Sequence, residues 1–533
     1  MAGAAPEPAT AALLNQRLLG GTAAGERLFS LQTLRRFYGA RGQRPAWGGD
    51  GRVSPQVDDL FAALRSAGRE GLNPADYHLA ALEGLLARLR PPGKGEAAAY
   101  EDDHPNAIDA DLLLSDAFFL YAAHLTAGRV NPETVEPEWN IAGRGRDLAP
   151  LLETALAHGH LAGTLAALPS AREEYRLLRE ALAAQRTIAA AGGWPLVPWG
   201  GKLREGDRHA RVAALRRRLA ATGELPAGSS TSSTRFDREL TAALKRFQER
   251  HGIEADGIVG KETLAALNIP ASARVRQIEA NLERLRWLPR DLGPRYLTVN
   301  IADYNLVLTE AGAPPLRMRI IAGRQVRRTP FFTGEITSIL FNPSWTVPEK
   351  LAIEDKLPLI LADPFYLEDR GFTVWAPAGA GWRQVDPASV PWARLSKDTF
   401  PYQLRQEPGP GNALGRVKFQ IPNRHDIYLH DTPSRELFSR RERSFSSGCI
   451  RVERPVELAA RLLAPNPAWT SARIEETIAA GASVSVPLAV PMPTYLFYWT
   501  AWVDGDGALQ LREDVYGSDR ALLAALALPL RPR

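Results

Sequence analysis

One cysteine stands in 533 residues, so no intrachain disulfide can form. A reducing compartment tolerates free thiols, and a chain of this length there would usually carry several. Their near-absence fits export to an oxidising compartment. No run reaches the roughly 18–20 apolar residues that a membrane-spanning helix needs. The N-terminal run Met1-Ala2-Gly3-Ala4-Ala5-Pro6 has neither the basic nor the apolar stretch of a secretory signal. The expectation is therefore export to an oxidising compartment, with a signal absent from this sequence. A net charge of +5, spread over the whole length, gives no nucleic-acid footprint. The densest basic cluster is Arg216, Arg217 and Arg218. It falls on a predicted helix and reads as a solvated face.

The length exceeds what one core can fill, about 250–300 residues, so several domains are expected. Hydrophobic residues at 45% and charged residues at 23% are ordinary for globular domains. Residues 1–28, rich in Ala, Gly and Pro, read as a flexible leader. From 29 to 200 the periodicity is helical. Leu112, Ala117, Leu120, Tyr121 and Leu125 recur at helical spacing, and Gly128 stands where a cap would end the helix. Residues 205–270 form a small three-helix unit. Val212, Leu215 and Leu219 mark the first helix, and Phe236, Leu240, Leu244 and Phe247 the second. Lys261–Leu267 is the third, after an Asp256-Gly257 turn. Another helix, 271–292, is expected to pack on the scaffold. From 293 to 515 the period shifts to strands, as in Tyr296–Ile301, Leu306–Leu308, Arg319–Ile321, Ile339–Phe341 and Thr494–Val503. A helix follows at Pro455–Leu463, and 516–533 reads as a terminal helix. The fold class expected is multidomain α+β: an all-α scaffold, a three-helix module and a β-rich domain.

Chemistry concentrates between residues 427 and 452. Tyr428-Leu429-His430 ends a strand, and alternation puts Tyr428 and His430 on one face. A loop then leads to Ser446-Ser447-Gly448-Cys449-Ile450-Arg451-Val452. A free thiol is only slightly ionised near neutrality, so a catalytic cysteine needs a base or an electropositive site. His430 is the candidate base. Gly448 permits close backbone approach, and the Gly448 and Cys449 amides are candidates for an oxyanion site. Arg440, Arg441, Arg443 and Arg451 would favour a thiolate and could hold a carboxylate. Isolated from context, a lone cysteine is ordinarily a small buried hydrophobe and a lone histidine a structural side chain. A metal site at His425, His430 and Cys449 lacks any familiar zinc spacing, so no metal and no cofactor is expected.

The surrounding motifs supply the context. His430 followed by Ser446-Ser447-Gly448-Cys449 resembles the signature of the YkuD-type L,D-transpeptidase catalytic domain. Asn342-Pro343-Ser344-Trp345-Thr346-Val347-Pro348 and Pro408-Gly409…Asn412-Ala413-Leu414-Gly415…Lys418-Phe419 fit the same pattern. The run Phe247-Gln248…Gly252-Ile253…Asp256-Gly257-Ile258-Val259-Gly260…Thr263-Leu264 resembles a peptidoglycan-binding module. Phe37-Tyr38, Pro45-Ala46-Trp47, Gly71-Leu72-Asn73-Pro74, Tyr77-His78 and Asn281–Pro289 are similar to the helical regions of the large multidomain members. Ser447 replaces the histidine that many members carry, and Asp431 replaces a small residue after His430. The group that orients His430 is left open: the Asp431 carbonyl, its carboxylate, or neither.

The resemblance implies cell-wall chemistry in the periplasm or cell envelope. The donor would be a tetrapeptide stem of peptidoglycan. Cys449 would be the nucleophile, His430 the base, and Gly448 and Asp431 their supports. Tyr428, Arg451, Ser446, Ser447 and Trp345 would line the substrate site. A thioester resolved by a second stem's amine gives a 3→3 cross-link, and carbapenems are expected to acylate the cysteine. Hydrolysis by an L,D-carboxypeptidase, transfer to another amine, and a non-catalytic wall-binding protein are the competing readings. Residues 354–405, rich in aromatics, could cap the cleft or form a packed loop.

Overall fold

The computed structural model describes residues 8–49, 52–89, 104–137, 139 and 147–531. The described residues divide into two compact units. One comprises 8–49, 52–89, 104–137, 147–291 and 499–531, and the other comprises 139 and Leu292–Tyr498.

In the first unit the expected leader is corrected from Pro8 onward, and residues 1–7 lie outside the described ones. Pro8–Gly20 is a helix whose Leu14 and Leu18 are buried, followed by a short hairpin, Thr22–Ala23 with Glu26–Arg27. Its Ala content favours helix, and two leucines one turn apart give it a face to bury. The centre is the helix Pro105–Ala127, with Pro105 in the first turn and His104 capping through Asn106 N–H. It is buried almost all round, so its polar groups must be bonded internally. Asp111 accepts from the Tyr38 hydroxyl (2.6 Å) and the Ala46 and Trp47 amides. Asp116 accepts from the Phe29 and Ser30 amides and pairs with His78 at 2.8 Å. Thus Tyr38, Trp47 and His78 all surround this helix. Gly128, at φ +87°, ends it. A Cβ there would lie 2.6 Å from Trp287 Nε1, so only glycine lets the helix Ala271–Arg286 and its following tryptophan approach.

The three-helix unit contains Ala210–Ala221, Arg238–Arg250 and Lys261–Leu267. Gln248 explains its turn motif. Its amide donates to Asp256 Oδ1, the Ile258 carbonyl and Thr263 Oγ1, and accepts from the Gly257 amide. The solvated reading of the arginine run fails for two of its three members. Arg216 and Arg218 are each 1% exposed. Arg216 pairs with Asp237, and Arg218 lies 3.9 Å over the Trp194 ring and donates to the Leu267 carbonyl. Burial lowers the Arg218 pKa to about 9. Planar stacking and a forked donor set let an arginine be buried where a solvated lysine would not be.

The second unit is built on a nine-stranded sheet. Its strands are β1 (Arg295–Asn300), β2 (Asn305–Glu310), β3 (Ala313–Gly323), β4 (Thr333–Phe341), β9 (Val417–Gln420), β10 (Leu429–His430), β11 (Ser444–Ser446), β12 (Ile450–Val452) and β13 (Val484–Phe497). Between β4 and β9 run β5 (Trp345–Thr346), β6 (Phe372–Ala378), β7 (Gly381–Val385) and β8 (Gln403–Gln406). The order in the large sheet is β11-β3-β12-β10-β9-β4-β13-β1-β2, and β2 also pairs with β3, so the sheet closes on itself. Closure leaves only β11, which pairs with β3 alone, at an edge. Strands β5 to β8 form a separate four-stranded sheet. Its own core includes Leu357, Ile360, Phe372, Val374, Phe400 and Leu404. The insertion is therefore a small folded layer, more than a packed loop.

The strand expected across Thr494–Val503 divides in two, and the second unit closes at Tyr498 instead of near 515. Thr500 causes the break. Its amide donates to Asn281 Oδ1 and its hydroxyl donates to Asp519, which ties residues from 499 onward to the helices Ala271–Arg286 and Ser518–Leu526.

Candidate active site

Two short parallel strands bring the key residues together. In β10 and β12, Leu429 opposes Ile450 and His430 opposes Arg451, and the Ile450 amide donates to the Tyr428 carbonyl at 3.1 Å. The register places Tyr428 beside Cys449, at the point where the chain turns through Gly448. Alternation holds, since the Tyr428 and His430 rings lie 5.6 Å apart in a T-shaped arrangement.

Cys449 is half-buried. Its thiol approaches the Asp426 carbonyl at 3.7 Å and interacts with the backbone and hydroxyl of Tyr428. Burial raises the thiol's pKa. Tyr428 and the Lys418 ammonium oppose that rise, and the Asp426 carboxylate adds to it. No hydrogen bond joins this thiol to His430 among the described residues. Burial also raises the Tyr428 hydroxyl's pKa, and the Trp345 indole faces that hydroxyl.

His430 is 5% exposed. Its Nδ1 donates to the Asp431 carbonyl at 2.6 Å, and the Leu414 carbonyl lies beside the ring. Donation at Nδ1 leaves Nε2 with the lone pair of a neutral imidazole. Burial, with Arg451 and Lys418 nearby, lowers its pKa to about 3. The orienting group is thus the Asp431 backbone. The Asp431 carboxylate points elsewhere, accepting from the Arg416 amide and from Arg435, both at 3.0 Å. Gly415, at φ +62°, makes room for it. A Cβ there would lie 2.5 Å from Asp431 Cβ and Cγ.

Gly448 has φ +122°, which favours glycine. Its amide does not face an open site as expected, because it donates to Ser446 Oγ at 3.2 Å, and its carbonyl accepts from Thr329 Oγ1 at 2.7 Å. Ser446 is buried, so its hydroxyl satisfies the nearest donor, and the turn is locked from both sides. Among the described residues the Cys449 amide donates to no protein acceptor. Ser447 is exposed and accepts from Arg324 (3.3 Å) and Arg327 (3.1 Å). Arg327 also pairs with Glu354 and Asp355. These sit on a π-helical turn, Ala352–Lys356, that begins the inserted layer.

Of the arginines expected around the thiol, Arg451 interacts with it. Burial lowers the Arg451 pKa, and its Nε is buried without a partner. Arg443 is turned away, donating to the Ile320 and Tyr304 carbonyls. Arg440 and Arg441 are exposed. Trp345 is half-buried against Phe372, with the Lys356 ammonium 5.4 Å over its ring.

Sequence reasoning missed Lys418, Thr329 and Arg327. Lys418 was visible only as part of a motif, and the strand that places it between the buried Val417 and Phe419 was not among the expected ones. Thr329-Pro330 lies 119 residues from Gly448, and nothing in the sequence connects them. No group of three or more His, Cys, Asp or Glu is placed to hold a metal ion among the described residues.

Known proteins resemble several stretches of this chain, including the one that holds the thiol and the imidazole. Residues 294–484 match the YkuD family, described as "L,D-transpeptidase catalytic domain". The chain carries a YkuD-type catalytic domain. Residues 208–267 match a "Putative peptidoglycan binding domain", and residues 32–182 a "Scaffold domain". A curated protein of Haemophilus influenzae, named "Putative L,D-transpeptidase", is 37% identical over 247 residues, which are 46% of this chain. The match covers 49% of that relative, so the chain spans about half its length. N-acetylmuramoyl-L-alanine amidase CwlM of Mycobacterium tuberculosis is 39% identical over 75 residues, 13% of this chain and 18% of that protein. A solved L,D-transpeptidase structure from Xylanimonas cellulosilytica, residues 123–326, has 13% identity and a TM-score of 0.16. That alignment covers 56% of this chain and 99% of the other. The YkuD-type domain spans β1 to the start of β13 and so contains every residue of the site above.

Proposed function

We propose that the protein is a cell-envelope L,D-transpeptidase that uses Cys449 as nucleophile and His430 as base on peptidoglycan tetrapeptide stems. The observation that carries this reading is the His430 imidazole, held at Nδ1 by the Asp431 carbonyl with the Nε2 lone pair left as an acceptor, one strand from the chain's only thiol.

The Cys449 proton passes to His430 Nε2 as Sγ attacks the carbonyl between diaminopimelate and the terminal D-Ala. The Cys449 amide supports the oxyanion. The tetrahedral intermediate expels D-Ala, whose nitrogen takes the proton back from His430, and a thioester remains. A side-chain amine of a second stem then attacks the thioester and loses a proton. That restores the thiol and leaves a 3→3 cross-link. Arg451, with its unpartnered Nε, is suited to a substrate carboxylate, and Tyr428 and Trp345 line the approach. The module at 208–267 would hold the enzyme on its polymer.

The test is mass spectrometry of wild type and Cys449→Ala on a purified disaccharide tetrapeptide. Dimers and a thioester adduct on wild type alone support transfer. Tripeptide without dimer means hydrolysis. An adduct on Cys449→Ala, or none on wild type, removes Cys449 as nucleophile. A carbapenem adduct absent from Cys449→Ala is expected in parallel.

A further inference from the structure

The mechanism leaves the charge of Lys418 unused. Lys418 lies on β9 directly across from His430, as its antiparallel partner. Its ammonium sits 3.9 Å over the centroid of the Tyr428 ring, and that ring's hydroxyl reaches the Cys449 thiol. Lys418 is half-buried and, among the described residues, makes no direct ion pair, although the Asp426 carboxylate and the Cys449 thiol are close enough to interact with its ammonium. Its flanking residues Val417 and Phe419 are fully buried on the opposite face, so strand alternation commits Lys418 to the thiol's side.

We propose that Lys418 is a positioning residue. Its ammonium, steered by the Tyr428 ring, stabilises the Cys449 thiolate that forms during attack. The proposal rests on Cys449 being the nucleophile. A developing thiolate needs a cation, and His430 is neutral in the resting site, so a histidine-borne charge appears only after the proton has moved. The Lys418 charge is in place beforehand. A pre-existing charge costs no reorganisation at the moment of reaction.

Other charged groups also face the thiol. Asp426, in the loop before Tyr428, opposes thiolate formation. Arg451 on β12 favours it, with Arg324 nearby in the loop after β3. Tyr428 and His430 face it from β10. Lys418 differs from Arg451 in standing on the π-face of the residue whose hydroxyl touches sulfur. That geometry links the cation to the thiol through one polarisable ring.

The test is the pH dependence of Cys449 alkylation by iodoacetamide in the full chain. Cys449 is the only thiol, so the signal needs no assignment. Lys418→Met should move the midpoint of the profile up by about one pH unit, and Lys418→Arg should restore most of it. Transpeptidation by Lys418→Met should fall about tenfold in kcat at neutral pH with little change in KM, and recover as pH rises. A purely structural role would lower thermal stability without moving the midpoint. Lys418→Gln serves as the second variant should the methionine form melt early. Midpoints of both variants that superimpose on wild type overturn the proposal. Alkylation does not require turnover, so a chain that fails to cross-link stems still reports the Lys418 effect.

Discussion

His430 should make the catalytic unit acid-sensitive in a way that can be isolated. In the folded protein burial and the neighbouring cations put its pKa at about 3, against an ordinary value of 6.5. The folded state therefore excludes a proton that the unfolded chain accepts. This group's contribution is fully present above about pH 6.5 and is lost as pH falls toward the folded value. Each pH unit in that window costs about 1.4 kcal/mol. At pH 5 the loss is roughly 2 kcal/mol, and it stays there for any folded value below about 4. His430→Asn keeps a donor for the Asp431 carbonyl and removes the titration. Urea unfolding at pH 7.5 and pH 5 should show wild type losing about 2 kcal/mol more than His430→Asn between the two. The remaining histidines are common to both proteins and cancel. Wild-type imidazole NMR signals missing from the variant should not shift between pH 7.5 and 4.5. Equal losses in the two proteins, or a His430 signal titrating near 6.5, would refute the neutral-imidazole site and the resting thiol that goes with it.

Three further outcomes follow from the same geometry. Asp431→Asn keeps the carbonyl that orients His430 but weakens the contacts to Arg416 and Arg435. Stability should drop by about 1–2 kcal/mol in denaturant, with kcat within about threefold of wild type. A hundredfold loss of kcat would return the orienting role to the carboxylate. Gly415→Ala forces a Cβ to 2.5 Å from the Asp431 side chain at positive φ. It should cost about 1–2 kcal/mol of stability and at least about tenfold in kcat, because Asp431 carries His430 with it. Unchanged kinetics would show that the loop yields without moving the imidazole. Arg327→Ala removes the shared contact between Ser447 and the Glu354–Asp355 pair. Hydrogen exchange in Ala352–Lys356 should quicken by about fivefold, in line with a partly exposed ion pair worth about 1 kcal/mol. No change there would mean that the packed core of the insertion holds the turn unaided.

How much of this was legible depended on whether the relevant partner was near in sequence. Cys449, His430 and the Gly448 turn lie within 20 residues of one another, and strand alternation with a glycine turn sufficed to bring them together. The Asp431 question could not be answered that way. Carbonyl and carboxylate belong to the same residue, and the choice between them is set by Gly415 and Arg416 on the far side of β9. The Gly448 amide was misread for the same reason. A sequence gives the conformational freedom of a glycine but not the acceptor its N–H will find, which here is Ser446 Oγ. The arginine run at 216–218 shows the opposite failure. Charge density suggested solvent, yet Trp194 and Asp237 lie 24 and 21 residues from their arginines and provide a ring face and a carboxylate.

Lys418 joins both lessons. In the sequence it stood only inside a motif, and the strand Val417–Gln420 that sets it apart from Val417 and Phe419 was not read. What alternation cannot say is which residue stands across the ladder. Register is set by the whole sheet, and a slip of one residue would turn Lys418 to the opposite face. The pairing of Lys418 with His430 is therefore the observation on which the electrostatics of the site turn. It is also why a single half-buried lysine over the Tyr428 ring is better read as part of the proposed chemistry than as a surface residue that failed to reach water.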